Sequence, residues 1–499
     1  ANLATAVTYM NTAGNVHLHI KGNLHVNSTH IITKSCRVTC VDGGIITFYS
    51  GAQIRFGTAP TVGTTAFTAT SNRFRSTITS PNLALTEGSF YAIKADDELA
   101  TPYSSHLAGW THHAMELHRV EASLGSNQYK FAEQYVDNFT TNPTIFEVPM
   151  IRGVILENIR YTYVGGSTPS STPAWSFYGC HGLRIINPHG IYPVPGGWWF
   201  RYCYDVVIED PIIDAKYAPM AAPADANYGY NFIVGLCTRF KLRGGTIGMC
   251  RHGITTTNEI TGTNQRWGTS LLCSVKGMDF TANRGTSDNT ICLDTHAEGY
   301  GWVFDDCNFH GYDGSISNGI LVQNRARNTI VKNCTYDGQA TNSSSGGYGI
   351  YNLAPDMMAI GNTFRRCTHG IRQIAATNIN CDTAKIVNNH FDQCFGPAIM
   401  STTGQGTLID GNTFINCGYV SGFSIIELQA DTDPVITRNM MMKDANTYAV
   451  KYTPATVGAD FKFIGNVATG YGTSIFDTTT TKGADLNTAW SLATRNWID

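Results

Sequence analysis

The sequence predicts an all-β chain folded as a parallel β-helix, because one short phrase recurs twelve times at intervals of 23 to 34 residues. The clearest copies are residues 360–364, 387–391 and 409–414. No helical periodicity accompanies them, and such a period is typical of a solenoid with one coil per repeat. We mark each copy by the residue that lies two positions before its large apolar residue. This row of equivalent positions runs Ile159, Pro188, Pro211, Gly245, Met278, Cys307, Cys334, Asn362, Asn389, Asn412, Asn439 and Asn466.

Alternation of apolar and polar residues predicts two short strands in each coil. One strand is the recurring phrase, and the other begins at Gly319, Gly349, Gly370 and Ala398. Equivalent residues of stacked coils lie about 4.8 Å apart, so the five consecutive asparagines of the row are expected to form a ladder of side-chain amides. We expect the phenylalanines at 364, 391 and 414 to stack beneath it, and the cysteines at 367, 394 and 417 to form a further stack.

The repeat divides the chain into four predicted parts. Residues 1–57 alternate and are expected to form the opening coils, and residues 58–150 break the repeat and predict a small β-rich insertion. Residues 151–470 carry the regular repeat and predict the main β-helix. Residues 471–499 follow the last copy and are expected to cap it, as the terminal repeats of solenoids do.

Composition excludes several classes of function. The net charge of −3 gives no electrostatic basis for binding nucleic acid, and no run of 18 apolar residues predicts a membrane span. The 14 cysteines are scattered singly and predict buried free thiols rather than disulfides or a metal site. We therefore predict no metal and no cofactor.

Chemically active residues concentrate in three adjacent coils. The two longest intervals between copies of the repeat follow Pro211 and Gly245. Residues that do not follow the repeat pattern are not needed for stacking, so we expect them to carry function. These coils and the next contain acids, bases and aromatic residues at Asp214, Lys216, Asp225, Asn227, Tyr228, Arg251, His252, Glu259, Arg266, Trp267, Asp294, His296 and Glu298.

Alternation also predicts which side chains of these coils face outward. In the strand that begins at Ile291, we expect Ile291 and Leu293 to face the core and Cys292, Asp294 and His296 to face solvent. The same alternation places Thr257 beneath Asp294, gives Arg251 outward parity and gives His252 inward parity. A carboxylate, an imidazole and a guanidinium are therefore expected to share one surface patch.

Three stretches resemble bacteriophage tailspike proteins with the pectate-lyase-like right-handed β-helix. The opening coils resemble the first coils of the family at residues 20–24 and 51–57. The insertion resembles the family's small β-domain at residues 94–97 and 151–158. Residues 249–257 together with 293–298 carry the most specific part. The resemblance implies a homotrimer of the virion tail, assembled in the host cytoplasm, that binds and usually cleaves a bacterial surface polysaccharide such as capsule or O-antigen.

Hydrolysis of such a glycan needs two carboxyl groups, about 5 Å apart for retention and roughly 6.5–9.5 Å apart for inversion. Asp294 as base or nucleophile and Glu298 as acid are the first predicted pair, with Glu259 and Asp225 in reserve. We expect Arg251, His252, His296 and Arg266 to orient the substrate. Trp198, Trp199 and Trp267 are expected to stack on the apolar faces of sugar rings.

Two other functions fit the same residues. A polysaccharide lyase would use His252, His296 or Arg251 to remove the proton beside a uronate carboxyl, and a non-catalytic adhesin would bind the glycan without cutting it. Structural interpretations also remain open. Asp294 and His296 would then form a hydrogen-bonded turn, and Arg251 would form an ion pair with Asp294. His252 would be a buried imidazole with its hydrogen bonds satisfied, and Trp198 and Trp199 would contact a neighbouring subunit.

Overall fold

Three long parallel sheets wind around a common core in the computed structural model of the protein, which confirms the predicted parallel β-helix. The structure describes residues 2–49, 51–70, 73–99, 111–164, 172–191, 196–214, 230–250, 252–257, 259–261, 265–282, 291–296, 299–311, 320–339, 347–374, 381–418, 423–442, 448–453 and 461–469. The predicted C-terminal cap lies outside these residues.

Each coil contributes one strand to each sheet. The first sheet has 14 strands in the order Val16–Ile20, Cys36–Cys40, Ile155–Glu157, Arg184–Ile186, Val207–Glu209, Lys241–Arg243, Ser274–Lys276, Val303–Asp305, Ile330–Lys332, Met358–Ile360, Lys385–Val387, Leu408–Asp410, Val435–Thr437 and Lys462–Ile464. The second sheet has 14 strands in the order Asn23–Val26, Ile45–Tyr49, Arg160–Val164, His189–Ile191, Ile212–Asp214, Thr246–Cys250, Asp279–Ala282, Asn308–His310, Thr335–Asp337, Thr363–Arg365, His390–Asp392, Thr413–Ile415, Met440–Met442 and Val467–Thr469.

The third sheet has 13 strands, and its outer face carries the candidate site. Its order is His30–Ile32, Ile54–Phe56, Trp175–Tyr178, Gly196–Arg201, Tyr230–Gly235, His252–Thr257, Ile291–Thr295, Ile320–Asn324, Tyr348–Asn352, Ile371–Gln373, Ile399–Ser401, Ile426–Leu428 and Val450–Tyr452. Three two-stranded bridges join neighbouring coils at Ile151–Arg152 with Cys180–His181, Ser270–Leu271 with Gly299–Tyr300, and Gly404–Gln405 with Asp431–Thr432.

The prediction of two strands per coil is wrong, because the recurring phrase contains a sharp corner. All twelve predicted row positions immediately precede a strand of the second sheet, and the residue before the row commonly has a positive φ, as at Asn388 (54°) and Arg438 (54°). This left-handed residue turns the chain from the first sheet into the second. The alternation continues across the corner, so it gives no sign that one strand has ended and another has begun.

The core consists of side chains stacked at equivalent positions of successive coils. Six rings stack in one column with successive centroids 4.6 to 5.1 Å apart, from Phe280 through Phe309, Tyr336, Phe364 and Phe391 to Phe414. The predicted asparagine ladder is confirmed: Nδ2 of each of the first four asparagines donates to Oδ1 of the next at 2.8 to 3.0 Å. The cysteines whose side chains the structure describes are free and buried, as predicted.

One helix, Leu3–Ala13, precedes the first coil and was not predicted. Asn2 caps it by accepting a hydrogen bond from the backbone of Thr5 at 2.9 Å, and it ends at Gly14, whose φ is 66°. Leu3, Val7 and Met10 are buried against the core of the first coils. The helix therefore covers the open end of the solenoid.

A separate, largely antiparallel sheet is formed mainly by residues that lie between the opening coils and the main repeat in the sequence. Its strands are Thr65–Ala66, Thr77–Thr79, Phe90–Glu98, Thr111–Gly125, Gln128–Phe131, Thr144–Glu147, Glu259–Thr261 and Gln265–Trp267. It has its own apolar cluster, which includes Ile93, Phe131 and Phe139. Its last two strands form a hairpin that leaves a coil of the β-helix and pairs with Thr111–Gly125. The predicted boundaries at 58 and 150 stay predictions.

Candidate functional site

The outer face of the third sheet carries one continuous column of side chains. The pairing register aligns, one per coil, Arg55, Ser176, Trp199, Ile233, Thr255, Asp294, Gln323, Tyr351, Arg372, Met400, Glu427 and Lys451. Thr255, Asp294 and Gln323 face outward but expose only 3%, 2% and 8% of their surface. Side chains that face outward from an uncovered sheet would be exposed to solvent. The low exposure of these three therefore shows that neighbouring groups cover this part of the column.

Asp294 is the centre of this enclosed region. Nη2 of Arg325 lies 3.1 Å from both carboxylate oxygens, and Nε2 of His296 lies 3.0 Å from Oδ2. Nδ1 of His252 is 3.9 Å from the same oxygen. One carboxylate is thus surrounded by a guanidinium and two imidazoles, which are contributed by three successive coils.

Burial alone would raise the pKa of Asp294, because a charge in a medium of low polarity is unfavourable. The charge of Arg325 and the two histidines outweighs burial, so the pKa of this carboxyl is well below its usual range. Asp294 therefore stays ionised at neutral pH. It is suited to act as a base, as a nucleophile or as the anion that orients an imidazole, and it is unsuited to act as an acid.

Backbone contacts hold the groups around Asp294 in place. Oγ1 of Thr256 accepts a hydrogen bond from the backbone N–H of His296 at 2.5 Å, and Oγ1 of Thr295 accepts one from the backbone N–H of Arg325 at 3.0 Å. The ring of His252 stacks on Tyr230 with centroids 4.7 Å apart. Unlike Asp294, His296 keeps about a quarter of its side chain accessible, at 24%. His296 is therefore the most accessible group of this cluster, followed by Arg325 at 13%.

The structure brings Asp294 and His296 together as predicted. It also places His252, which was given inward parity, 3.9 Å from the outward carboxylate of Asp294, and it corrects the predicted register. Thr255, rather than Thr257, pairs with Asp294. Cys292 belongs to the core cluster and Ile291 does not, so the predicted orientation of these two residues is wrong. Two consecutive inward residues at the entrance to the strand, Cys292 and Leu293, shift the alternation by one position.

Two predicted sugar-stacking residues are buried instead. Trp198 has no exposed surface and stacks on Trp175 in the core with centroids 5.0 Å apart. Trp267 is 4% exposed and is packed between the ring of His113 and Nζ of Lys94. The prediction that these two rings stack on sugars is wrong, because no sugar can reach either face. Trp199 faces outward and stays a candidate.

The remaining predicted residues belong to another sheet or lie outside the described residues. Arg266 and Glu259 belong to the hairpin that joins the sheet of the insertion rather than the third sheet. Arg251, Glu298 and Asp225 lie outside the part of the chain that the structure describes. Their proposed roles stay predictions.

Several residues in or beside the column were missed by the sequence reasoning. Arg325 was missed although it supplies the main positive charge at Asp294. Arg372 lies over the rings of Tyr348 and Tyr351, with its guanidinium carbon 5.3 and 5.8 Å from their centroids, and its Nη1 donates to Tyr348 Oη at 3.0 Å. Gln323, Tyr351 and Arg372 occupy the position equivalent to Asp294 in the next three coils. Counting outward positions from one coil to the next would therefore have found them.

Within the described residues, no three His, Cys, Asp or Glu side chains are grouped closely enough to hold a metal ion. The same part of the chain contains no helix long and apolar enough to cross a membrane.

The fold is that of bacteriophage tailspikes. Tailspike gp61 of Pseudomonas phage phi297 is 14% identical with a TM-score of 0.63, covering 95% of this chain and 74% of its own. The gp54 tailspike of Acinetobacter baumannii bacteriophage AP22, solved in complex with A. baumannii capsular saccharide, is 13% identical with a TM-score of 0.56, covering 96% and 73%. Tailspike gp49 of Pseudomonas phage LKA1 is 13% identical with a TM-score of 0.55, covering 94% and 73%. Neither protein-family models nor curated protein sequences match the chain.

Proposed function

We propose that the protein is a bacteriophage tailspike depolymerase that binds a bacterial surface polysaccharide along the outer face of the third sheet and cleaves it beside Asp294. The observation that carries this proposal is the enclosed cluster of Asp294, Arg325, His296 and His252 on the outer face of a solenoid. A structural ion pair would not need two further imidazoles at the same carboxylate. The capsular saccharide bound to the AP22 tailspike supports the class of ligand.

The described residues supply more of the groups that β-elimination requires than of the groups that hydrolysis requires. A lyase needs a base that removes the proton beside a uronate carboxyl and a cation that stabilises the resulting negative charge. His296 is accessible, and the tautomer that donates Nε2–H to Asp294 leaves Nδ1 as its basic nitrogen. Arg325 supplies a cation beside it. Asp294 would then be a positioning residue that holds His296 in that tautomer.

Hydrolysis by Asp294 and Glu298 is the second candidate. Asp294 is ionised, as a nucleophile or base must be, and Glu298 follows His296 by two residues. The pair must include an acid outside the described residues. Among the described strands of the third sheet, the next outward acid is Glu427, five coils from Asp294 and so about 24 Å away by strand spacing. That distance is too long for either hydrolytic geometry.

We also propose that the protein acts as a homotrimer on the virion tail, outside the bacterial cell. Apolar side chains on the outward face of the second sheet support a contact between subunits, since Ile212, Met440 and Val467 are 48%, 42% and 41% exposed.

The proposal is tested by incubating the full chain with purified capsular polysaccharides and O-antigens. Two signals are followed together: new reducing ends and the ultraviolet absorbance of unsaturated uronates. The variants are Asp294→Asn and His296→Ala, with Lys385→Ala on the outer face of the first sheet as matched control. Matched reducing ends and absorbance, lost in both variants and kept in the control, support the lyase.

Other outcomes separate the remaining functions. Reducing ends without absorbance, lost in Asp294→Asn, support hydrolysis and call for Glu298→Gln as the next variant. Tight binding with neither signal supports the adhesin and contradicts cleavage. Full cleavage by both variants contradicts the assignment of the site to this cluster.

A further inference from the structure

A stack of cationic and aromatic side chains lies on the same face of the third sheet as Asp294. The guanidinium carbon of Arg201 is 3.8 Å from the ring centroid of Trp199 and 5.8 Å from that of Tyr178. The guanidinium carbon of Arg55 is 5.5 Å from the same tyrosine ring. All four side chains are half-buried. They come from three successive coils, so the stack is built by the register of the sheet.

The charges along the column are unbalanced. Its strands carry two acids, Asp294 and Glu427, which are 2% and 4% exposed. Arg325 compensates Asp294, and Glu427 accepts a hydrogen bond from the backbone N–H of Ser424 at 3.4 Å. Against these acids, the strands carry the half-buried cations Arg55, Arg201, Arg372 and Lys451. Arg55 has no acidic partner among the described residues. The half-buried acidic or basic side chains on the outward face of the described third-sheet strands are therefore all basic, although the whole chain has a net charge of −3.

Guanidinium groups held against aromatic rings suit one class of sugar. A planar guanidinium binds a carboxylate through two parallel hydrogen bonds, and stacking on a ring holds it in place at little entropic cost. Trp199 and Tyr178 are half-buried, and the accessible part of their rings offers apolar surface to the ring of the same sugar. A neutral sugar would use the aromatic surface and leave the guanidinium groups unmatched.

We propose that Arg55, Tyr178, Trp199 and Arg201 form a distal subsite that binds an acidic sugar, a uronate or another carboxylated residue, of the polysaccharide chain. The inference rests on the proposed function in that it takes the outer face of the third sheet as the glycan site. It adds a second binding position and the charge of the ligand. Trp199 lies three coils from Asp294, about 14 Å by strand spacing. A single extended glycan can therefore occupy both positions.

The test is a binding measurement that does not depend on cleavage. The full chain carrying His296→Ala is titrated with capsular polysaccharides that contain glucuronate or galacturonate. Each polymer is compared with a sample of itself in which the carboxyl groups have been chemically reduced. Arg201→Met removes the charge and keeps an apolar stem over Trp199. Arg201→Lys keeps the charge without the planar group. Lys385→Met is the matched control, because it removes an exposed cation from the outer face of the first sheet. Circular dichroism and melting temperature verify that each variant is folded.

We expect Arg201→Met to weaken binding of the native polymer about tenfold or more, as the loss of a charged hydrogen bond does. Binding of the reduced polymer is expected to change less than about twofold, and Arg201→Lys should restore only part of the affinity. Equal losses on native and reduced polymers would show a structural role and overturn the proposal. Binding of neutral polymers only, or of no acidic polymer in the panel, would overturn it as well. If acidic polymers bind in this way but the wild type cleaves none, the depolymerase proposal fails and the subsite stands.

Discussion

Asp294 is nearly inaccessible yet charged, and this combination is stable only because its neighbours compensate the charge. An ionised carboxylate without such partners would cost several kcal/mol to bury. The same neighbours restrict its chemistry, because a carboxylate with a lowered pKa is a weak base. The accessible imidazole of His296 is better placed to exchange a proton with a ligand.

Replacing Asp294 by Asn is expected to lower kcat by roughly 10²–10⁴-fold, since general-base catalysis contributes about this factor. The amide can no longer hold His296 in the tautomer that leaves Nδ1 basic. Because the pKa of Asp294 is lowered, the wild-type carboxylate is ionised throughout pH 5–8, and its own titration does not contribute to the pH profile of kcat in that range. Steady-state kinetics on a cleaved polysaccharide measure the loss of kcat. A loss confined to KM would contradict the assigned role.

A second buried acid, Asp431, behaves in the opposite way. It has no exposed surface, and burial raises its pKa from 3.8 to about 6. The folded state therefore binds more protons than the unfolded state between about pH 4 and pH 6, and stability falls as the pH rises through this window. Above pH 6 the charged carboxylate destabilises the fold by up to roughly 3 kcal/mol, from 1.36 kcal/mol per pKa unit.

We therefore expect Asp431→Asn to raise the melting temperature at pH 8 and to leave it unchanged near pH 4. Thermal unfolding of both proteins at several pH values checks this difference, with Thr413→Ala as a control that should follow the wild type at every pH. An equal shift at pH 4 and pH 8 would show that hydrogen bonding, rather than ionisation, controls this position.

At the scale of the strand, the asparagine ladder joins the first and second sheets at each corner of the last coils. Asn412 accepts hydrogen bonds from the backbone and side-chain N–H groups of Asn389 at 2.8 and 3.0 Å. Its own Nδ2 donates to the carbonyl of Ile386 and to Asn439, both at 2.9 Å. Each internal asparagine thus satisfies backbone groups as well as its neighbours.

Removing an internal member, Asn412→Ala, is expected to lower the free energy of unfolding by about 2–5 kcal/mol, because two buried N–H groups of Asn389 lose their acceptor. Asn362→Ala at the first end of the ladder should cost less, since its Oδ1 accepts from the backbone N–H of Cys334 and from no other asparagine of the ladder. Chemical denaturation compares both with Thr413→Ala, an outward change in the adjacent strand. Equal effects of the internal and terminal variants would contradict cooperation along the ladder.

The strands differ in how far sequence could predict them. The row from Ile159 to Asn466 locates every second-sheet strand of the main repeat, because stacked identical side chains leave a periodic signal. The corner residues are Asn, Asp or Gly in eleven of the twelve coils, but the alternation continues across them, so the first and second strands merged in the prediction. At the candidate site the two consecutive inward residues Cys292 and Leu293 reversed the predicted orientations of Ile291 and Cys292. The predicted partner of Asp294, Thr257, was wrong by two positions. Arg325 was missed because nothing in the sequence near it indicates that its side chain reaches back to the previous coil.

At the scale of the whole molecule, buried ion pairs join the insertion to the β-helix. Asp137 of the insertion is fully buried and lies 2.7 Å from Nη2 of Arg327, and Oγ1 of Thr269 donates to it at 2.9 Å. Arg239 lies 3.0 Å from the buried Glu133 of the insertion, which also accepts a hydrogen bond from Tyr204. These contacts fix one body on the other with charges that have few alternative partners.

Breaking one of these pairs with Arg327→Met is expected to lower the free energy of unfolding by about 3–5 kcal/mol, because Asp137 is left charged and buried. Lys332→Met is the matched control: it removes the exposed pair with Asp305 and should change stability by less than about 1 kcal/mol. Hydrogen exchange should show faster opening in residues 111–125 of the Arg327 variant. Exchange that is unchanged there would show that the apolar contacts alone hold the insertion.

Because each coil places a single side chain in the outward column, distances along the column come in whole numbers of coils. Deleting one coil between Trp199 and Asp294 would shorten their separation by about 4.8 Å without altering either residue. If both bind one glycan, the smallest fragment that spans them is set by this number of coils. The length of the oligosaccharide that the protein releases would then be encoded by the number of repeats, separately from the residues that recognise the sugar.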